Sequence, residues 1–532
     1  MNKRLLLGVL FCISIIFQTF IVYGAEEEKQ AIPTFEIKRY HVEGNNIFQQ
    51  ADIENLLAGF TGKQKDFGTV QEAIDVLEDA YRRRGFSTIQ VMLPEQELEN
   101  GIIRLVVIET RIGAIKVEGN QHYSRANILR SIPVLRVGEA PNINKISSRL
   151  KTANENPVKK VTMQLESSDK ENEVNAVLRV TDEKPWKLSL IGDNTGNKDT
   201  GEFRTGVVFQ HANIADLDHV LSLQYMTSPE KADKVSIFGF GYHVPLYSLG
   251  DSLTFYAGYS DVDSGTIYAG TADIAVSGRG SSFGMKYNQN LARIGSYEHK
   301  FTYGADLRKY QNNITMLKTF NMDNNVTVHP VNLTYNGNWQ YPTFQAGFNT
   351  SVIQNVPGGA DGSNEDFQRV RSNAKANYTI IRYGANIGYS LPFDFQLRLL
   401  FNGQFTDDCL VPGEQFGLGG ANSVRGFQER EVSDDRGNSG SFEFYSPDFF
   451  KLMNNDRGQM RMLVFYDLGE VKKVSPLPGE ESYGSMSSAG VGLRLGWGKN
   501  FSLLTDYGYA LSLTGSRGTR NNRFHLMAVY SF

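Results

Sequence analysis

The chain has 532 residues, among them 52 Gly, 33 Phe, 25 Tyr, 3 Trp and 2 Cys, with a formal net charge of −4 and a mean hydropathy of −0.34. Such a hydropathy excludes a polytopic helical membrane protein, in which each span needs ~20 consecutive apolar residues. The acidic balance argues against a nucleic-acid binder, whose phosphate contacts call for a basic domain. What is left is a polar chain crowded with glycine and aromatics. An outer-membrane β-barrel has that mixture, because its apolar, aromatic lipid face alternates residue by residue with a polar lumen.

Residues 1–25 read as a secretory signal peptide. Lys3 and Arg4 precede the apolar run 5–23, and the small residues Gly24 and Ala25 follow it. A retained signal anchor is the alternative, since the run is slightly long, but Gln18 and Thr19 near its end favour cleavage. Cys12 lies within the signal, so the mature chain keeps Cys409 alone and forms no intramolecular disulfide. Scarce cysteine suits passage through an oxidising periplasm.

Residues 35–183 contain a repeat. Val42-Glu43-Gly44-Asn45 recurs as Val117-Glu118-Gly119-Asn120, and each copy ends a strand-like run, at 35–42 and 112–117. Two helical stretches follow in each: 52–57 and 70–84, then 125–131 and 144–154. In the first copy Val70, Ile74, Leu77 and Tyr81 share one helix face. Two further strands close each copy, at 87–93 with 102–108 and at 158–165 with 174–180. The β-α-α-β-β order, given twice, predicts two small α+β domains at 35–109 and 110–183. Order and Gly-Asn signature resemble POTRA domains, the periplasmic modules of outer-membrane protein transporters. A small sheet with accessible edges accepts an extended client as an added strand; plain spacer domains are the alternative.

From 186 to 532 alternating runs recur between turn clusters. Phe203, Thr205, Val207 and Phe209 face away from Arg204, Gly206 and Val208, while Leu221, Leu223 and Tyr225 oppose Ser222 and Gln224. With 186–192, 234–244, 252–260, 281–289, 297–310, 326–339, 344–352, 376–389, 395–405, 441–445, 459–467, 489–497, 501–509 and 524–532 they make sixteen predicted strands. An even number closes a barrel without an edge. In the last strand Phe524, Leu526, Ala528, Tyr530 and Phe532 point one way and His525, Met527, Val529 and Ser531 the other. A closing aromatic, Phe532, on such a strand resembles the outer-membrane assembly signal. No amphipathic helix is predicted after residue 186.

The most distinctive stretch is Gly417-Leu418-Gly419-Gly420-Ala421-Asn422-Ser423-Val424-Arg425-Gly426-Phe427. Glycine-rich loops cradle phosphates when a helix follows. Here a charged loop, 428–438, follows and no Lys-Ser/Thr closes the motif, so a nucleotide site is not predicted. Gly280-Ser281-Ser282-Phe283-Gly284 fits a nucleophile elbow only in a strand-turn-helix context. Asp261-Val262-Asp263-Ser264-Gly265 starts like a calcium loop but lacks its twelfth-position Glu. The eight His show no metal-ligand spacing. No enzyme, cofactor or metal site is therefore expected.

Val424-Arg425-Gly426-Phe427 closely resembles the VRGY-type signature of the POTRA-barrel transporters, with Phe in place of the commoner Tyr. The resemblance implies that the loop 407–437, after the eleventh barrel strand, folds back into the lumen. It also implies that Arg425 pairs with an acidic residue of an F-x-D/G motif on an inward-facing strand, matched here by Phe465-Tyr466-Asp467 and so by Phe465 and Asp467. Signal, two POTRA-like repeats, sixteen strands and both motifs together resemble the outer-membrane transporters of two-partner secretion, the ShlB/FhaC/HecB family. The fold implied is a transmembrane antiparallel β-barrel, residues 186–532, preceded by two POTRA-like domains. The partners implied are a large secreted exoprotein with an N-terminal secretion domain, outer-membrane lipid and the outer-membrane assembly machinery, and no nucleic acid. The location implied is the outer membrane of a Gram-negative bacterium, with the N-terminal domains periplasmic. Assembly factors of barrel proteins are similar but usually carry more POTRA copies; a passive porin with periplasmic spacers is a further alternative. Many relatives begin with a barrel-plugging helix. Here about ten residues separate the expected cleavage site from Phe35, so the lumen is expected either open or occluded only by the loop 407–437.

Overall fold

A computed structural model describes residues 33–198, 200–261, 266–269, 272–275, 279–311, 313–316, 320–323, 325–515 and 522–532. The expected signal, residues 1–25, lies outside these. The chain divides into two compact units: residues up to Arg83 with Ile89–Glu109, and the remainder.

In the first unit the strand Ile102–Ile108 is central, parallel to Arg39–Glu43 and antiparallel to Gln90–Met92. Helix Phe67–Arg83 lays Val70, Ala73, Ile74, Leu77 and Tyr81 into the core. The initial strand breaks at Lys38: Phe35–Ile37 leaves the main sheet to pair with Gly62–Lys65, a strand without apolar alternation that no sequence pattern announces.

The second module, 111–182, repeats this plan. Glu173–Asp182 lies between Arg111–Glu118 and Lys159–Ser167, and helices Arg125–Arg130 and Ile143–Ala153 are capped by the side chains of Ser124 and Asn142. The repeated Gly-Asn has one physical cause in both copies. Gly44 and Gly119 sit at φ +78° and +85°, where an added Cβ would meet the carbonyl oxygens of Val107 and Val180 at 2.4 Å in each case, so only glycine fits. The following Asn45 and Asn120 donate from Nδ2 to the carbonyls of Phe48 and Tyr123 at 2.7 and 2.8 Å, closing the turn.

Sixteen antiparallel strands form a closed barrel: β1 (Trp186–Asp193), β2 (Arg204–Ile214), β3 (His219–Thr227), β4 (Ile237–Leu246), β5 (Asp251–Asp261), β6 (Arg279–Asn290), β7 (Tyr297–Gln311), β8 (Val326–Val328 continued by Pro330–Gln340), β9 (Phe344–Asn355), β10 (Thr379–Ser390), β11 (Gln396–Phe405), β12 (Arg436–Tyr445), β13 (Gly458–Lys472), β14 (Tyr483–Trp497), β15 (Phe501–Thr514) and β16 (Arg523–Ser531). β16 closes on β1 from Met527 opposite Asp193 to Ser531 opposite Ser189. Burial has period two along the strands. On β13, Leu463, Phe465 and Asp467 are buried while Val464 and Tyr466 are exposed, as a wall between lipid and lumen requires.

Each predicted strand has an observed counterpart, and the differences are at the ends. β12 starts five residues before its expected position, within the 428–438 stretch expected to be loop, because Arg436-Gly437-Asn438-Ser439-Gly440 carries no apolar alternation yet is hydrogen-bonded on both sides. Two short helices, Asn364–Val370 and Phe449–Leu452, occupy connections. The first has a capping box between Ser363 and Asp366, a signal present in the sequence.

The second module and the barrel share one unit, joined at the turns that end β2 and β4. Lys159 Nζ lies 2.5 Å from Asp218 Oδ2, with neither side chain more than 1% exposed, and the Tyr247 hydroxyl donates to the same oxygen at 2.5 Å. Asn156 donates to the Ala212 carbonyl at 2.7 Å and Thr152 to the Gly250 carbonyl at 2.7 Å.

Candidate functional site

Residues 406–435 connect β11 and β12 and fold back into the lumen. A small hairpin, Phe416–Leu418 with Val432–Asp434, forms the stem. Leu418, Val424, Phe427 and Val432 are buried against Val471 of β13, Met486 of β14 and Ala510 of β15. Thus the Val and Phe of the Val424-Arg425-Gly426-Phe427 motif bury apolar side chains, and Arg425 between them is left to find polar partners.

It finds a complete set. Nε and Nη2 donate to the two Asp467 oxygens, each at 2.8 Å, and the Arg425 backbone N–H adds a third bond to Asp467 at 3.0 Å. Nη1 donates to Glu443 at 2.8 Å and Nη2 also to the Ser441 hydroxyl at 2.9 Å. Asp506 lies 3.7 Å away and is itself held by Arg494 at 2.8 Å. The guanidinium stacks on the Phe465 ring, 3.5 Å from its centroid, a cation–π geometry. Arg425 is 2% exposed and Asp467 is fully buried. Planar fork, two carboxylates and ring surface suit arginine and no other cation.

The structure therefore brings together Arg425, Phe465 and Asp467, the residues named from the two motifs. Ser441, Glu443 and Asp506 complete the site without any motif; the one available signal was an ionisable residue on the inward face of a barrel strand. Gly426 has φ +104°, and on β15 Gly508 lets the loop backbone approach. Phe532 lies elsewhere, at the end of β16. It is 58% exposed, its N–H donates to the Leu188 carbonyl at 2.8 Å and its ring meets Tyr530 edge-on.

The loop does not occlude the lumen alone. In the connection between β9 and β10, residues 356–378, Phe367, Ala374, Ala376 and Tyr378 pack with Leu410 and Val411 of the loop. Arg371 is bonded twice to Asp435, once at 2.8 Å. Glu414, fully buried, receives Arg308 Nη1 at 2.9 Å and the Tyr310 hydroxyl at 2.8 Å. The expectation that only the loop fills the lumen fails because this second connection carries its own apolar side chains and has nowhere else to bury them.

The remaining sequence signals fall away. Gly280–Gly284 lies inside β6, with no turn or helix to form an elbow. Asp261 ends β5, and 262–265 lie outside the described residues. No group of His, Cys, Asp and Glu among the described residues is arranged to hold a metal.

A closed sixteen-stranded barrel with an N-terminal POTRA module and an arginine-anchored lumen loop defines an outer-membrane protein transporter. The chain belongs to the haemolysin secretion/activation protein family ShlB/FhaC/HecB, whose model matches residues 172–495, and residues 35–110 match the ShlB-type POTRA domain. Members of this family are outer-membrane transporters of two-partner secretion, and that is the function of this chain. The heme/hemopexin transporter protein HuxB of Haemophilus influenzae is 22% identical over 510 residues, 88% of this chain and 81% of HuxB. The outer membrane transporter CdiB of Escherichia coli is 24% identical over 424 residues, 77% of this chain and 68% of CdiB. The fold is that of the solved CdiB from Escherichia coli, with a TM-score of 0.78 at 21% identity over 97% of this chain and 93% of that one. CdiB from Acinetobacter baumannii gives a TM-score of 0.68 at 18% identity over 94% and 90%.

Proposed function

We propose that the two N-terminal modules, 35–109 and 110–183, capture the N-terminal secretion domain of a large unfolded exoprotein after the signal 1–25 has been removed. The client then threads the lumen past the loop anchored by Arg425 and folds outside. Val424, Arg425, Gly426 and Phe427 are the loop's anchor, Phe465 and Asp467 its receptor, and Phe532 the signal by which the assembly machinery inserts the barrel among outer-membrane lipids. Folding of the client at the surface supplies direction, since no nucleotide motif is found in the chain.

One observation carries this reading: the tip of a loop from the extracellular side is fastened deep in the lumen by Arg425, bonded to two carboxylates of the wall. A buried ion pair is an expensive way to gain stability, because desolvation offsets most of the attraction. It is a good way to hold a segment in one position. The test is secretion of the exoprotein that the host releases only when this chain is present. Deleting the chain abolishes release, the wild type restores it, and Arg425→Ala does not. Normal secretion by the Arg425→Ala variant with a correctly inserted barrel overturns the loop's role.

A further inference from the structure

The lumen has two unlike walls. On β13–β16 ionisable inward side chains are buried around the loop's anchor: Asp467, Asp506 and His525 are each at most 6% exposed. The wall formed by β8–β11 is amide-rich, and below the part where Val328, Ile353, Ile380 and Gln404 meet the loop and the connection 356–378 it is bare. Asn338, Asn349, Asn386 and Asn402 face inward there and are all exposed.

Their inward orientation follows from strand parity. Arg382 on β10 and Gln404 on β11 point into the lumen, where their side chains donate to the Glu414 carbonyl of the loop; Asn386 and Asn402 share that parity. Strand register sets the amides in rows. Asn336 stands opposite Asn349, Asn349 opposite Gly384, and Gly384 opposite Asn402, one row across four strands. A second row joins Asn338, Gly347 and Asn386. The glycines keep the rows low and continuous. A Cβ at 384 would lie 2.9 Å from the Asn349 amide nitrogen and 3.0 Å from the Asn402 amide oxygen, and one at 347 would lie 2.9 Å from the Asn386 nitrogen. Asn338, Asn349, Asn386 and Asn402 make no side-chain hydrogen bond among the described residues. The two charges on this wall are answered locally, with Arg382 3.5 Å from Glu414 and Arg398 3.9 Å from Glu443.

We infer that this neutral carboxamide wall of β8–β11 is the track along which an extended polypeptide crosses the barrel, recognised through its backbone rather than its sequence. The inference rests on the translocation reading above and adds the route. An unfolded chain carries one N–H donor and one C=O acceptor per residue, and a carboxamide offers both a donor and an acceptor. Such bonds exchange with water at little net gain, so the client is guided without being held. A charged wall would retain client segments of opposite sign, and here the charged wall is the one that the loop covers.

The test places a photo-crosslinking amino acid singly at positions 338, 349 and 386. Controls are positions 504 and 527, where Leu504 and Met527 border the cavity of about 300 Å³ beside Arg425. The client is the exoprotein whose release depends on this chain, stalled in transit by a disulfide-locked domain at its C-terminus. Adducts at 338, 349 and 386 are expected to exceed those at 504 and 527 by about tenfold, since a route along one wall keeps the client clear of the cavity beside Arg425. The triple variant Asn349→Ala/Asn386→Ala/Asn402→Ala, checked for insertion by heat-modifiable migration, is expected to lower secretion roughly fivefold through the lost guiding bonds. Adducts mainly at 504 and 527 overturn the route while leaving translocation through the lumen standing. Continued secretion with no adduct at any of the five positions overturns both.

Discussion

Gly508 on β15 lies directly beneath Arg425: a Cβ at 508 would stand 2.4 Å from the Gly426 nitrogen and 2.5 Å from the Arg425 carbonyl carbon. Backbone sits on backbone there, so no side-chain rotation relieves the clash. Gly508→Ala is expected to lift the loop off its receptor at a cost of about 1–3 kcal/mol, as overpacking does, while the strand itself pairs normally. Planar-bilayer recordings check this: the variant should conduct more than the wild type, and equal conductance would count against a tightly seated loop.

Arg425→Ala and Arg425→Lys should separate charge from shape. Alanine leaves the buried Asp467 without a cation, while Glu443 keeps Arg398 at 3.9 Å, and loss of one partner of a buried pair costs roughly 3–5 kcal/mol. Lysine keeps a positive charge but loses the fork on Asp467 and the stacking on Phe465. Protease sensitivity of the loop should therefore rank wild type, lysine, alanine in increasing order. Identical behaviour of lysine and wild type would show that charge alone holds the loop.

Asp435 braces the outer end. It receives Arg371 of the connection 356–378, the Leu410 N–H at 2.9 Å and the Val474 N–H at 2.7 Å, and so ties three extracellular connections together. Cys409 beside it is 3% exposed, and burial pushes its thiol above the usual cysteine value. Asp435→Ala should loosen all three connections and raise the rate of maleimide labelling at Cys409 by on the order of tenfold, as expected for losing about 1–3 kcal/mol of protection with the hydrogen-bonded charge. An unchanged rate would place the brace elsewhere.

At the junction of the second module with the barrel, Asp218→Ala strands the Lys159 ammonium in a buried site and should cost about 3–5 kcal/mol. The double variant Lys159→Met/Asp218→Leu should recover most of that loss. Hydrogen exchange in Ile143–Ala153 reads the difference; equal protection in both variants would mean that the pair contributes little.

Glu155 adds a pH dependence to the same junction. Burial pushes its pKa up, but His243 at 3.4 Å and the Asn290 amide at 3.2 Å outweigh that, leaving it below the ordinary glutamate value of 4.5. A lowered carboxyl pKa contributes stability that is complete above the unfolded value and is lost as pH falls through the folded one. Protection of Ile143–Ala153 should therefore drop on acidification below about 4.5, and Glu155→Gln should remove that drop.

The strands were legible because a wall between lipid and water imposes period two on every residue it contains, and sixteen such runs stand out in the sequence. β12 was only half legible, since its outer half, 436–440, is Arg, Gly, Asn and Ser and carries no apolar residue. The helix Asn364–Val370 was missed because seven residues are too few for a periodic signal, although its Ser363/Asp366 cap was there to read. Arg425 and Asp467 were named by resemblance to a family. Ser441, Glu443, Asp506 and Gly508 were not.

By itself, then, the sequence determined the alternation, the strand number, the two modules and the loop that departs from the pattern, all of them local consequences of burial and turn chemistry. Only the tertiary structure decided what Arg425 touches. Its partners lie on β12, β13 and β15, and they meet because barrel register sets Ser441 opposite Asp467 and because Gly508 admits the loop backbone. The same register lines up the asparagines of β8–β11. Such proximity comes from closing the sheet, and no stretch of chain short enough to be read as a motif contains it.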